Sequence, residues 1–284
     1  MRCAWQEFMK IVPAWMRADL DKHGMRELQE LRLRVGLPPE LVTGRDSVWL
    51  SQMVAEDDIK FVINTASRYS PWAAASIQYG FLTIAGGHRI GICGEGVYHN
   101  GKISGIKNPT SLCIRVAKDL PGIAANALQY NGSILIIGRP GSGKTTLLRD
   151  LIRQRSDNRN GCIAVVDERG ELFPTGHEAP CFYQGRHTDV LYGCRKKDGI
   201  DMVLRTMSPD CIAIDEITAQ EDCEALLQAC WSGVELLATA HASDKDDLLR
   251  RSVYRPIITC GIFHTVLIMQ EDKSWRAERI RYGT

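Results

Sequence analysis

Between Gly138 and Thr145 the chain reads Gly-Arg-Pro-Gly-Ser-Gly-Lys-Thr, at the end of the apolar run Ile134-Leu135-Ile136-Ile137. The segment that follows, Leu147-Leu148-Arg149-Asp150-Leu151-Ile152, has helical composition. A buried strand, a glycine-rich turn and a helix in that order make a phosphate-binding loop, which commits this part of the chain to a layered α/β sheet. Backbone N–H groups of the turn and helix start face an anion there, and glycines let the main chain wrap closely because no Cβ intrudes. The contact set expected for a nucleoside triphosphate is Gly138, Arg139, Pro140, Gly141, Ser142, Gly143, Lys144, Thr145 and Thr146. Within it the Lys144 ammonium reaches the β and γ phosphates, and the Thr145 hydroxyl ligates Mg²⁺.

With 284 residues the chain has room for two modest domains or one large one. A net charge of +1 argues against a strongly basic nucleic-acid binder. No run approaches the ~18 apolar residues that span a bilayer, and Met1-Arg2-Cys3-Ala4-Trp5-Gln6-Glu7 has no secretory hydrophobic region. The expectation is a cytoplasmic protein without direct membrane insertion, any membrane association being made through partners. Ten cysteines are scattered with no C-x-x-C pair or zinc spacing. Those in apolar runs (Cys93, Cys113, Cys162 and Cys211) read as small buried hydrophobes of a reducing compartment.

The first ~118 residues read as a small α+β domain. A helical stretch covers Ala4 to Leu20, interrupted by Pro13 and ending near His23-Gly24. Leu28 to Val35 alternates apolar and polar residues as a half-buried strand does, and Pro38-Pro39 breaks it. Helices follow over Asp57–Tyr69 and, capped by Ser70, over Pro71–Tyr79. Short strands are expected at Phe81–Ala85, Arg89–Cys93, Glu95–Tyr98 and Ser111–Ala117, with Asn100-Gly101 as a hairpin turn.

Asp119-Leu120-Pro121-Gly122 is the expected linker, so the domains divide as 1–118 and 119–284. The second shows a strand–helix–strand rhythm, with buried strands at Ser133–Ile137, Cys162–Asp167, Cys211–Asp215, Glu235–Thr239 and Phe263–Gln270. Such alternation predicts a mostly parallel sheet that binds its ligand beyond the carboxyl ends of the strands.

Chemistry-bearing residues sit at several of those ends. Cys211-Ile212-Ala213-Ile214-Asp215-Glu216 is an apolar strand delivering two carboxylates. Asp215 can hold a Mg²⁺-bound water, and Glu216 can orient and deprotonate an attacking water. Val165-Val166-Asp167-Glu168-Arg169-Gly170-Glu171 is a second such strand, and Ala238-Thr239-Ala240-His241-Ala242 a third, whose His241 can sense a γ-phosphate. Together with the loop they predict a hydrolytic nucleotide site.

The order of these boxes resembles the secretion and pilus traffic ATPases of type II and type IV systems. The shared elements are the phosphate loop, the acidic box at Asp167-Glu168-Arg169, Leu204-Arg205-Thr206-Met207-Ser208-Pro209-Asp210 leading into Asp215-Glu216, and Thr239-Ala240-His241-Ala242. The whole chain is similar to the stage III sporulation protein AA family of endospore-forming bacteria. Segments outside the nucleotide motifs carry that similarity: Glu30-Leu31-Arg32-Leu33-Arg34, Gly86-Gly87-His88-Arg89-Ile90-Gly91 and Ser111-Leu112-Cys113-Ile114-Arg115-Val116.

The resemblance implies a RecA-like P-loop NTPase domain preceded by the smaller α+β domain, with ATP and Mg²⁺ as ligands. It implies a mother-cell ATPase that powers or assembles a channel between mother cell and forespore. A homo-oligomeric ring, in all expectation a hexamer, and membrane proteins of the channel are the implied partners. The same resemblance makes Arg89 and Arg115 candidate stabilisers of phosphate charge from a neighbouring domain or subunit. Traffic ATPases usually have Gly-Glu where this chain has Asp215-Glu216, so Glu168 and Glu216 compete for the role of base; Glu216 is favoured, with Glu168 positioning water or metal.

Two other readings stay open. The stretches Arg149 to Arg159, more often a solvated helix face, and Arg195-Lys196-Lys197 are what a RecA-like nucleic-acid motor would use. A nucleotide-gated scaffold would need binding but little turnover.

Overall fold

The computed structural model describes residues 1–44, 46–67, 77, 80–158, 161–174 and 182–280. The chain divides into two compact units, the first made of Met1–Asp119 with Pro174–Phe182, the second of Leu120–Phe173 with Tyr183–Thr284. The backbone therefore passes from one unit to the other three times, at 119/120, 173/174 and 182/183.

In the first unit, helices α1 (Trp5–Ile11), α2 (Ala14–Glu27) and α3 (Glu56–Ser67) accompany a six-stranded antiparallel sheet. Pro13 separates α1 from α2, and Gly24, at φ 68°, breaks the helical geometry of α2 near its end. Strands β1 (Glu30–Arg34), β2 (Glu40–Thr43), β3 (Asp46–Trp49), β4 (Phe81–Thr83), β5 (Arg89–His99) and β6 (Lys102–Arg115) lie in the order β3-β2-β1-β6-β5-β4. Period-two alternation puts Leu31, Leu33, Ile90 and Ile114 into a core with Phe8, Met16, Leu20, Ile59 and Val62.

Two expectations for this unit change, and two strands are added. The separate strands Arg89–Cys93 and Glu95–Tyr98 are one long strand, β5, that continues across a bulge between Cys93 and Glu95. Its partner β6 begins at Lys102 rather than Ser111, because the Asn100-Gly101 turn starts pairing at once (φ 50° and 75°). Strands β2 and β3, after Pro38-Pro39, are only four residues each; β3 is exposed throughout and β2 buries Leu41 alone, so they carry little hydrophobic signal. The helix expected over Pro71–Tyr79 lies outside the described residues save Ile77.

The segments Glu30–Arg34, Gly86–Gly91 and Ser111–Val116 all build this unit. His88 is wholly buried; its Nε2 lies 2.9 Å from the Ala4 carbonyl, and its Nδ1 accepts from the Ala117 N–H at 3.1 Å. Burial lowers the pKa of the ring, which suits a neutral imidazole with one donating and one accepting nitrogen. Gly86, at φ +84°, admits no Cβ, which would fall 2.2 Å from that of Ala4.

The second unit is a seven-stranded sheet of β7 (Ile134–Ile137), β8 (Ile163–Asp167), β9 (Thr188–Tyr192), β10 (Cys211–Ile214), β11 (Glu235–Ala240), β12 (Thr265–Met269) and β13 (Trp275–Arg279). Its order is β13-β12-β7-β11-β10-β8-β9, parallel throughout except for β13. Helices α4 (Lys144–Asn158), α5 (Lys196–Thr206), α6 (Gln220–Trp231), α7 (Lys245–Arg250) and α8 (Arg255–Thr259) connect these strands. Strands β7, β8, β10 and β12 are buried along their whole length, as strands of a parallel sheet covered on both faces are. Strands β9 and β13 were not anticipated; they form the two edges, where partial burial leaves mixed sequences.

Register decides what the sheet presents. Ile137 pairs with Ala240, Ala238 with Ile214, and Ile214 with Val166. Gly138, His241 and Asp215, which follow these strands, and Asp167, the last residue of β8, therefore come out along one edge of the sheet. Strand β11, the last of these four in sequence, is inserted between β7 and β10.

Candidate nucleotide site

The phosphate loop hangs between the end of β7 and the start of α4. Gly138, φ +159°, lies against β12, and a Cβ there would fall 2.7 Å from both Met269 Cβ and Ser142 Oγ. Gly143, at φ +100°, turns the chain into α4, a geometry that favours glycine. Arg139 and Pro140 are exposed on the outer turn, with Arg139 paired to Glu271 at 3.3 Å. Thr145 and Thr146 are half-buried in the first turn of α4.

The loop fits a polyphosphate on two counts. Ser142 Oγ is a buried hydroxyl with no hydrogen-bond partner among the described residues, a costly condition that an anionic ligand oxygen relieves. Lys144 is buried, and its Nζ donates to the loop's own carbonyls at Gly138 and Arg139, both at 3.0 Å. Burial lowers the pKa of this ammonium, while Glu216 and Asp215 nearby raise it. A cation so placed at a helix N-terminus and a glycine cradle is complementary to phosphate.

Strand insertion completes the geometry. His241 lies between the two neighbouring strand ends, its Nδ1 2.9 Å from Lys144 Nζ and its Nε2 2.8 Å from Glu216 Oε1. Glu216 itself sits at φ 45°, a left-handed conformation that is rare for a residue with a side chain. Its N–H donates to Thr239 Oγ1 at 2.6 Å, and the Thr239 hydroxyl donates to Asp215 Oδ1 at 2.7 Å. A single buried threonine on β11 thus holds the backbone of one carboxylate residue and the side chain of the other. A carboxylate joined to an imidazole in this way can accept a proton from a neighbouring group.

Glu168 is not part of that chain of contacts. Its Oε2 pairs at 2.6 Å with Lys196, an ammonium only 6% exposed. The preceding Asp167 is buried and accepts the N–H groups of Glu171, Leu172 and Phe173, each at 2.9 Å. Burial pushes its carboxyl up to about 6, helped by the nearby charge of Asp215 and opposed by those backbone bonds. The stretch that begins at Arg149 differs from the expectation of a solvated face, since Arg149, Arg153 and Arg155 are buried; of Arg195-Lys196-Lys197, Lys196 is buried and its two neighbours are exposed. Arg89 and Arg115 are directly opposed across β5 and β6 in the first unit. Arg89 stacks over Phe81 at 4.3 Å, and Arg115 pairs with Glu30 at 3.3 Å.

Thr239 and Lys196 are the participants that the sequence does not single out. Thr239 lies within the Thr-x-His box, yet its partners are 23 and 24 residues away and meet it only through the β10–β11 register. Lys196 reads as one of three consecutive basic residues until its burial against Glu168 is seen.

The family described as "Sporulation stage III, protein AA" matches residues 4–281, spanning both units. The chain belongs to this family. Stage III sporulation protein AA of Bacillus subtilis (strain 168) is 35% identical over 258 residues, covering 86% of this chain and 84% of that protein.

Among solved structures, the Legionella pneumophila ATPase DotB aligns with a TM-score of 0.60 at 16% identity, over 94% of this chain and 79% of that one. The pilus retraction motor PilT with bound ADP aligns with a TM-score of 0.58 at 16% identity, over 87% and 76%. At such identities the likeness is one of fold: this stage III sporulation AA chain has the RecA-like α/β architecture of the secretion and pilus ATPases. Among the described residues, no helix is long and apolar enough to cross a membrane.

Proposed function

We propose that this chain is a Mg²⁺-dependent ATPase of the secretion-traffic type that powers or assembles the channel between mother cell and forespore. The observation that carries the reading is the contact chain Lys144–His241–Glu216, which links the phosphate loop to a carboxylate across three neighbouring strands. In this reading residues Gly138 to Thr146 hold the triphosphate, and Thr145 with Asp215 holds Mg²⁺, which supplies charge neutralisation at the phosphates. Glu216 takes the proton of the attacking water, and His241 orients that carboxylate while reporting on the phosphate side through Lys144. Glu168, tied to Lys196, shapes the polar wall rather than acting as base. Arg89 and Arg115 supply further positive charge from a neighbouring subunit.

Membership of the sporulation family and the fold of the traffic ATPases support a homo-hexameric ring in the mother-cell cytoplasm, docked on membrane proteins of the channel. Burial of Arg149, Arg153, Arg155 and Lys196 removes much of the basic surface that a nucleic-acid motor would use.

Sizing by light scattering with and without ATP and Mg²⁺, beside a turnover assay, tests the proposal. An ATP-dependent hexamer with measurable hydrolysis is expected, and Lys144→Ala abolishes nucleotide binding. An assembled ring without turnover would point to the nucleotide-gated scaffold instead. Stimulation by single-stranded nucleic acid with a steep salt dependence would point to a nucleic-acid motor.

A further inference from the structure

Helix α4 begins at Lys144 and is the most charged of the buried elements in the second unit. Arg149, Asp150, Arg153, Arg155 and Ser156 are each at most 6% exposed. Burying so many polar groups is costly unless each is matched to a partner. None of the hydrogen bonds that Arg149, Asp150, Ser156 and the adjacent Asp157 make, as given below, goes to the phosphate loop.

Outside the helix, their partners share one property: they flank the three points where the backbone leaves or enters the second unit. After the first crossing, at 119/120, the N–H groups of Gly122 and Ala124 donate to the Asp150 carboxylate, the latter at 2.8 Å. Before the second, at 173/174, Arg149 donates through Nη2 to the Glu171 carbonyl at 2.7 Å and through Nε to that of Leu172. After the third, at 182/183, the His187 N–H donates to Ser156 Oγ at 2.8 Å, and the Arg186 N–H to Asp157 Oδ1 at 3.1 Å. All these contacts lie within the second unit. Asp150 is in turn held by Arg153 Nη2 at 2.7 Å, so its carboxylate is fixed when it takes the linker amides.

We infer that α4 is a coupling bar: one helix, capped by the nucleotide site, holds every chain segment that connects the two units. Arg149, Asp150, Ser156 and Asp157 are its positioning residues. The inference rests on the proposed binding of nucleotide at Lys144. A helix is a stiff body because every turn is tied to the next. What fixes its N-terminus therefore fixes segments held along the helix from its second turn to its fourth, and by linkage those segments act back on nucleotide affinity.

Amide hydrogen exchange on the full chain, with and without ATP and Mg²⁺, reads this directly, because four of the contacts are made by backbone N–H groups. In the unsubstituted protein, the amides of residues 138–146 other than Pro140 slow together with those of Gly122, Ala124, Arg186 and His187, by about tenfold or more at saturation. With Asp150→Ala the response is lost at Gly122 and Ala124 but kept at 138–146, Arg186 and His187; with Ser156→Ala it is lost at His187 and kept at Gly122 and Ala124. If 138–146 slow while the four amides are unmoved, the coupling fails and nucleotide binding stands. It fails equally if both variants respond as the unsubstituted protein does. If 138–146 do not respond at all, the nucleotide reading falls and takes this inference with it.

Discussion

His241 Nε2 lies 2.8 Å from Glu216 Oε1, across two strands whose residues are adjacent in space although 25 positions apart in sequence. That contact makes Glu216 rather than Glu168 the carboxylate in line with Lys144. Replacing it isolates chemistry from binding. Glu216→Gln retains nucleotide affinity, measured by titration with a fluorescent ATP analogue, while turnover falls about 10²-fold or more. Normal turnover in this variant would remove Glu216 as the base.

Glu168 gives the opposite pattern. Glu168→Gln leaves the ammonium of Lys196 buried against a neutral amide, a loss of about 3 kcal/mol by analogy with other broken buried pairs. Thermal unfolding should show a clear drop in Tm, with kcat changed less than in Glu216→Gln. A variant of normal Tm and abolished turnover would return Glu168 to a direct role in the chemistry.

Thr239 holds both Asp215 and the Glu216 backbone, so its hydroxyl matters more than its volume. Thr239→Val keeps the shape but leaves the Glu216 N–H unmatched; it should cost about 1–3 kcal/mol and lower kcat roughly 10²-fold. Thr239→Ser restores the hydroxyl, and most of the activity with it. Steady-state kinetics on the pair decides: equal loss in Val and Ser would show that packing, not the hydrogen bonds, was at stake.

Asp167 makes stability depend on pH. Its folded-state pKa, raised by burial to about 6, lies above the ordinary carboxyl value, so the folded chain binds this proton more tightly than the unfolded chain. Stability from this group is therefore greatest below pH ~4, falls as pH rises toward ~6, and is lower by roughly 3 kcal/mol above it. Asp167→Asn has no such dependence and offers a single oxygen to three N–H groups. The Tm gap between the two proteins should be widest near pH ~4 and narrow towards neutrality. A gap independent of pH would contradict the assignment.

Much of the second unit is legible in the chain because its signals are local. Ile134–Ile137 followed by Gly138–Thr145 specifies strand, turn and helix within a dozen residues, and the apolar runs before Asp167 and Asp215 mark buried strands by composition alone. The edges are less legible: β9 and β13 are only partly buried, so their hydrophobic pattern is diluted. The same dilution hides β2 and β3, while the glycines Gly94 and Gly96 make one long strand read as two short ones.

What the sequence by itself determined is chemistry attached to local geometry: a phosphate loop, carboxylates at strand ends, a histidine at another, and membership in a family through segments that turn out to build the first unit. Which of those groups meet was decided only by the tertiary structure. Strand β11 enters the sheet between β7 and β10, a consequence of sheet order that no local pattern encodes, and it alone sets His241 between Lys144 and Glu216. Likewise the arginines of α4 look like a solvent face, because charged residues are usually hydrated. Arg149 and Arg155 are buried since the carbonyls and carboxylate that match them arrive from Tyr130, Glu171, Leu172 and Glu235, residues that only the folded chain brings to that helix.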